Sequence, residues 1–154
     1  MIGFVGGPED GARLDRQIEA ALAAHDATNL AAVIAADLTL GDPSRIDWIE
    51  TRIFADKRST MPEIEAALLA LNVLGEANGA AVPRARVVAA YRDFIKLRPP
   101  MAGFVAPRLA DWGSWGAAAD YAALLRSDAT MDPASDFAVR NYLKRAAEAG
   151  VAAQ

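Results

Sequence analysis

The sequence predicts an all-α fold, and three observations carry that reading. Alanine supplies 36 of the 154 residues, a density that favours helix and makes poor strand material. No segment sustains the apolar–polar alternation with β-branched enrichment that marks a half-buried strand. Proline, glycine and capping residues instead cut the chain into seven to eight short stretches with apolar residues at three- and four-residue spacing. A chain of this length buries roughly two thirds of its unfolded surface in one domain. The 53% apolar content excludes disorder, and the absence of cysteine excludes a disulfide framework or thiolate metal site.

The first ten residues carry no basic segment and too short an apolar run for a secretory signal, so a cytoplasmic protein is expected. The glycines at 3, 6, 7 and 11 have the wrong spacing for a dinucleotide fingerprint. Residues 1–11 therefore read as a flexible lead-in, 12–150 as a single helical-repeat domain and 151–154 as a tail. No run of about 18 apolar residues is present, which predicts no membrane span.

Within the domain, a first helix is expected over Ala12–Ala24, with Leu14, Ile18, Ala21 and Leu22 on one face and Arg13, Asp15, Arg16 and Glu19 on the other. A second is expected from Thr28 to Leu40, stopping at Gly41. Asp42-Pro43 opens a third, as N-cap and first-turn proline, with an apolar stripe at Ile46, Ile49 and Ile53. Thr60-Met-Pro-Glu63 is a capping box for the fourth. Ile64, Ala67, Leu68, Leu71 and Leu74 follow in helical register, Gly75 is expected as the left-handed cap, and Leu69 and Val73 make the other side apolar too. Such a helix should be covered from two directions. Pro83 opens the fifth helix, and Pro99-Pro100 precedes a sixth running to Trp112, with a kink expected at Pro107. Ser114 is expected to cap the seventh, and Asp132-Pro133 or Ser135 the eighth, which ends at Gly150.

The expected helix-ending glycines, Gly41, Gly75, Gly113 and Gly150, lie 34, 38 and 37 residues apart. The matching helix starts, near Thr28, Pro62, Pro99 and Pro133, lie 34, 37 and 34 apart. Two helices per 34–38 residues is the period of a helical solenoid. Pro62-Glu-Ile-Glu-Ala-Ala-Leu-Leu-Ala-Leu-Asn-Val-Leu-Gly-Glu76 resembles the first helix of a HEAT-like repeat, and Pro100 to Leu125 resembles a whole one. The resemblance covers residues 62–149 and, more weakly, 28–55. Glu65 stands where arginine is usual in that motif. The resemblance implies an α-α superhelix of the armadillo-type class. The alternative is an irregular helical bundle.

The pattern of chemistry-bearing residues favours binding over catalysis. His25 is the only histidine, which excludes histidine-rich metal sites and histidine triads that need a second ring. It reads as a helix-end or surface residue. Asp37, Asp42, Asp47 and Glu50 cluster in sequence without calcium-loop spacing and read as solvated helix ends. No catalytic, cofactor-binding or metal-binding residue is assigned, and no cofactor is expected. The net charge of −4 argues against nucleic acid as partner. Charge is nonetheless uneven: residues 84–108 hold Arg84, Arg86, Arg92, Lys96, Arg98 and Arg108 against Asp93 alone. Ala85, Ala89, Arg92 and Lys96 share one face of the fifth helix. Trp112 and Trp115 flank a Gly-Ser turn, either filling the wedge between repeats or offering a ring to a ligand. These eight residues form the candidate surface for an acidic partner or another anion. The leading expectation is a non-catalytic protein-interaction or scaffold module whose groove is lined by the third, fifth and seventh helices; homo-oligomerisation and a regulatory role in a larger assembly are open. The enzyme alternative is a HEAT-like alkylpurine DNA glycosylase, for which the resemblance would implicate Asp111, Asp120, Trp112 and Trp115.

Overall fold

Residues 8–40, 44–127 and 129–151 are described in a computed structural model. Among them the secondary structure is helical, with no strand, as the composition predicts. The α-helices are α1 (Pro8–Ala24), α2 (Leu30–Leu40), α3 (Ser44–Ile49), α4 (Met61–Ala77), α5 (Arg84–Leu97), α6 (Ala106–Asp111), α7 (Ala118–Arg126) and α8 (Pro133–Glu148). A π-helical turn, Glu50–Phe54, continues α3, and a 3₁₀ segment, Pro99–Val105, leads into α6. The chain divides into two compact units, Met1–Ala90 and Tyr91–Gln154, with the division inside α5.

In the first unit α2 packs against α1, α3 and α4, and the π-helical turn packs on α4. The reason is compositional. Leu14, Ile18 and Leu22 make one buried stripe on α1, Leu30, Ile34 and Leu38 one on α2, and Ile64, Ala67, Leu68 and Leu71 one on α4. Ile46, Ile49, Ile53 and Phe54 fill the space beside them and are fully enclosed. In the second unit α8 packs against the 3₁₀ segment, α6 and α7. Small residues let these short elements approach: Ala102, Ala106, Ala117, Ala118 and Ala146 are all buried. The tightest approach is at Gly103, whose N–H donates to Ser135 Oγ at 2.6 Å.

Helix ends account for most departures from the sequence reading. Helix α1 begins at Pro8, earlier than Ala12, and ends on His25, which takes the left-handed conformation at φ 51°. His25 N–H bonds to Leu22 and Asp26 N–H to Ala21, the two reverse bonds of a Schellman motif. Asn29 is also left-handed, at φ 63°, so α2 starts at Leu30 and not at Thr28. The expected stop at Gly41 and the Asp42-Pro43 start lie outside the described residues.

The Thr60–Glu63 capping box forms reciprocally as expected. Gly75, however, is buried inside α4, and the left-handed cap falls to Asn78, at φ 46°. Asparagine tolerates that conformation, so the helix runs on past the glycine. Gly113 and Gly150 do occupy left-handed positions. At Pro107 the chain changes helix type and does not kink: the Ala106 N–H bonds to the Gly103 carbonyl, and the proline enters the first turn of α6, where no donor is needed. Ser114 does not cap α7. Its N–H is spent on the Leu109 carbonyl in the motif that ends α6, and α7 starts later, after Ala117. Asp132 caps α8 by accepting from the Ala134 N–H. The outer side of α4 is not covered among the described residues: Leu69 and Val73 are 55% and 54% exposed.

A Cβ added to Gly103 would stand 2.1 Å from the Ser135 carbonyl oxygen, a backbone atom, whereas at Gly79 it meets nothing within 4 Å. Gly103→Ala should therefore cost about 3 kcal/mol, the upper end for overpacking, and lower the Tm by roughly 8 °C or more. Gly79→Ala should change stability by less than about 0.5 kcal/mol. Thermal denaturation followed by circular dichroism checks both.

Candidate functional site

The eight residues singled out in the sequence are placed on both units and have different surroundings. Arg84 closes the C-terminal end of α4: its Nε donates to the Gly75 carbonyl at 2.8 Å and its Nη2 to that of Glu76 at 3.4 Å. Arg86 binds Asp47 and lies 4.0 Å from Glu50. In the second unit Arg92 donates to Asp120 at 3.4 Å and remains exposed, as does Lys96. Arg98 and Arg108 are half-buried. Trp112 is half-buried and lies parallel to Tyr91, with ring centroids 6.0 Å apart. Trp115 is half-buried against Tyr142 at 5.3 Å, and Tyr142 meets Tyr121 edge-on at 5.0 Å. Such pairs add about 0.5–1.5 kcal/mol beyond their burial. Tyr142 donates its hydroxyl to the Ser114 carbonyl, and burial pushes that hydroxyl up to about 12. Of the two carboxylates considered for base excision, Asp120 binds Arg92, and Asp111 accepts from Arg145 at 3.2 Å.

Three further features lie outside the eight candidate residues. The first is the exposed row on α4. Met61, Glu65, Leu69 and Val73 follow at four-residue intervals, and all four are exposed, opposite the buried Ile64, Ala67, Leu68 and Leu71. The spacing makes the segment apolar on both sides, but periodicity along one helix does not reveal whether a second side has anything to pack on.

The second is a cavity of about 270 Å³ in the first unit, lined by Leu22, His25, Arg52, Asp56, Arg58 and Glu63 among others. Glu63 is almost wholly buried. One of its carboxylate oxygens accepts from the Thr60 N–H at 2.8 Å, and the other meets His25 Nδ1 at 3.0 Å. Asp56 accepts from Arg58 Nε and Nη2 at 3.1 and 3.0 Å and from Arg52 Nη1 at 3.3 Å. The Arg58 guanidinium and the Arg58 N–H hold its carboxyl down at about 2. Arg52 Nε also donates to Glu19 at 2.8 Å.

The third is Asp37. Its sequence neighbourhood predicts a solvated helix end, but it is 1% exposed on the apolar stripe of α2. Arg45 of α3 donates to its Oδ2 through Nε at 3.3 Å and Nη2 at 3.1 Å, and also binds Asp15 of α1. The Arg45 guanidinium lies 4.6 Å from the centre of the Trp48 ring, a cation–π contact worth about 0.5–1 kcal/mol. Asp37 Oδ1 is buried and receives no N–H or O–H from the described residues. Burial, and then the hydrogen-bonding Asp15 carboxyl, push Asp37 up to about 6 against the opposing pull of Arg45. Burial and the neighbouring Asp15 carboxyl both favour the protonated acid, so Asp37 takes up a proton at a higher pH than an exposed aspartate does.

Asp47 and Glu50 are the other members of that acidic group, and they face Arg86. Asp42 lies outside the described residues. No group of three or more His, Asp or Glu residues suited to a metal ion occurs among the described residues, nor does any helix long and apolar enough to cross a membrane. Compared with family models, with curated proteins and with solved structures, the chain gives no match in any of the three.

The raised Asp37 has a definite consequence for stability. A proton bound more tightly in the folded state than in the unfolded one stabilises the fold fully below the ordinary value of 3.8, and that contribution is lost as pH rises through about 6. At about 1.36 kcal/mol per unit, the window spans up to about 3 kcal/mol. Stability from urea melts should therefore rise as the pH falls from 7 to 4.5, and Asp37→Asn should flatten that dependence.

Proposed function

We propose that this chain is a non-catalytic protein-interaction module of HEAT-like helical repeats. The observation that carries the reading is the outer face of α4, where Leu69 and Val73 are more than half exposed beside exposed Met61. Apolar side chains aligned on one helix face, on an element whose reverse side is fully packed, form the kind of surface that receives an amphipathic helix. Exposed Glu65 lies within the same row, and exposed Glu76 lies one turn beyond Asn72. The partner that suits this face is a helix with an apolar stripe and basic flanks. The period of the sequence and its resemblance to HEAT-like repeats support the same class, since such arrays act as scaffolds and adaptors by presenting extended helical surfaces.

A second reading keeps the contact on α5, where Arg92 and Lys96 are exposed in the second unit and suit an acidic protein segment. The two readings make opposite demands on partner charge.

Replacing Leu69 by Glu and Val73 by Lys removes the apolar row while placing a favourable helical ion pair on exposed positions. This double variant should retain the helical spectrum and the Tm. A protein captured from source cells by the wild-type chain, then purified, should bind the variant at least ten-fold more weakly, a loss of about 1.4 kcal/mol. Unchanged binding would remove the α4 face from the proposal. Loss on charge reversal at Arg92 and Lys96 instead would favour the α5 reading. Concentration-dependent self-association abolished by the double variant would identify a second copy as the occupant.

A further inference from the structure

The cavity bounded by His25, Arg52 and Arg58 is built in a way that its packing alone does not require, and we infer that it binds the phosphate group of a small phosphorylated molecule. Three observations converge there. The first is His25 itself. It occupies the left-handed position of a Schellman motif, at φ 51°, where glycine fits without a Cβ clash and the chain's other left-handed residues are glycine or asparagine, Gly113, Gly150, Asn29 and Asn78 among the described residues. A histidine in that place accepts backbone strain, and its side chain is then fixed by a buried carboxylate at 3.0 Å. The second is Arg52, which projects from a π-helical turn, a local widening of the helix found often at functional sites. The third is Asp56, whose carboxylate draws two guanidinium groups onto one oxygen and so holds both positive charges at the edge of one cavity.

The donor count favours an oxyanion. Arg52 spends Nε and Nη1 on Glu19 and Asp56, and Arg58 spends Nε and Nη2 on Asp56. Arg52 Nη2, Arg58 Nη1 and His25 Nε2 have no partner among the described residues. With Glu63 accepting at Nδ1, Nε2 becomes a third donor once the imidazole is protonated. The charged lining, Arg52 and Arg58 against Asp56 and Glu63, balances with His25 neutral and is positive with it protonated. Donors arriving from the end of α1, the π-helical turn and the loop that follows suit a tetrahedral group with three acceptor oxygens better than a planar carboxylate with two. Leu22 and Ala23 give the cavity an apolar wall, and about 270 Å³ leaves room for a small organic body attached to the phosphate.

The site is tested by NMR titration of the ¹⁵N-labelled chain with inorganic phosphate, glycerol 3-phosphate, sulfate and acetate. Saturable shifts of the His25 imidazole and of the Arg52 and Arg58 side chains are expected with the first three, with acetate at least ten-fold weaker. A higher affinity for glycerol 3-phosphate than for phosphate assigns the ester as ligand, and equal affinities assign free phosphate; either result supports the site. Arg58→Gln, at a side chain 85% exposed, cannot disturb packing and should weaken binding at least ten-fold. His25→Gly should weaken binding and also lower the Tm, because it removes the donor to a buried Glu63 oxygen, whereas Arg58→Gln should weaken binding with the Tm unchanged. Arg140→Gln, in the second unit, should do nothing. Shifts that never saturate, equal binding of acetate, or equal loss in Arg140→Gln would overturn the inference and leave the cluster as a surface ion-pair network.

Discussion

The first unit depends on a buried carboxylate with two duties. Glu63 closes the capping box of α4 through one oxygen and holds the end of α1 through the other, by way of His25. Burying a carboxylate is costly unless its oxygens are satisfied, and here each finds a donor. Because those donors come from elements 38 residues apart, the residue that starts one helix also fixes where another stops. The loop carrying Asp56 and Arg58 is held on the π-helical turn by its own bonds, Ser59 Oγ to the Ile53 carbonyl at 2.7 Å and Arg52 to Asp56. The cavity is the space that remains between these ends.

A different solution appears around Asp37. There one oxygen of the acid receives no donor from the described residues, and burial beside the Asp15 carboxyl raises its affinity for a proton. Arg45 donates to Asp37 and also binds Asp15, so α1, α2 and α3 are tied through one guanidinium. Placing an ionisable group on an apolar stripe lowers stability at neutral pH relative to a hydrophobic residue of the same size. What it gives in return is registration, because an arginine with directional donors accepts far fewer placements than a leucine would.

The parts of this fold legible in the sequence are those determined within one turn of helix. The Thr60–Glu63 box, the Asp132 cap and the left-handed glycines at 113 and 150 were readable because donor, acceptor and conformation lie within a few residues. Gly75 misled because a glycine in a helix serves close packing as readily as termination, and Asn78 was the better terminator. Asp37 carried a usable signal, a carboxylate at the i+7 position of the stripe begun by Leu30, yet its partners could not be named from spacing alone. Glu63 is legible as the box residue and His25 as a helix-end residue, but no spacing in the sequence indicates that the two pair: that is a product of packing. The basic run from Arg84 to Arg108 was plain in the sequence, but contiguity along the chain did not foretell that Arg84 would close a helix end and Arg86 would face acids of α3 and the following turn.

The contact between Gly103 and Ser135 fixes something about motion as well as packing. The Gly103 amide proton is buried and points at a hydroxyl 32 residues away, on an element that leaves no room for sliding. It can exchange with solvent only when α8 lifts off the 3₁₀ segment. That one amide is therefore an internal clock for the opening of the second unit, readable without any reference to the state of the first.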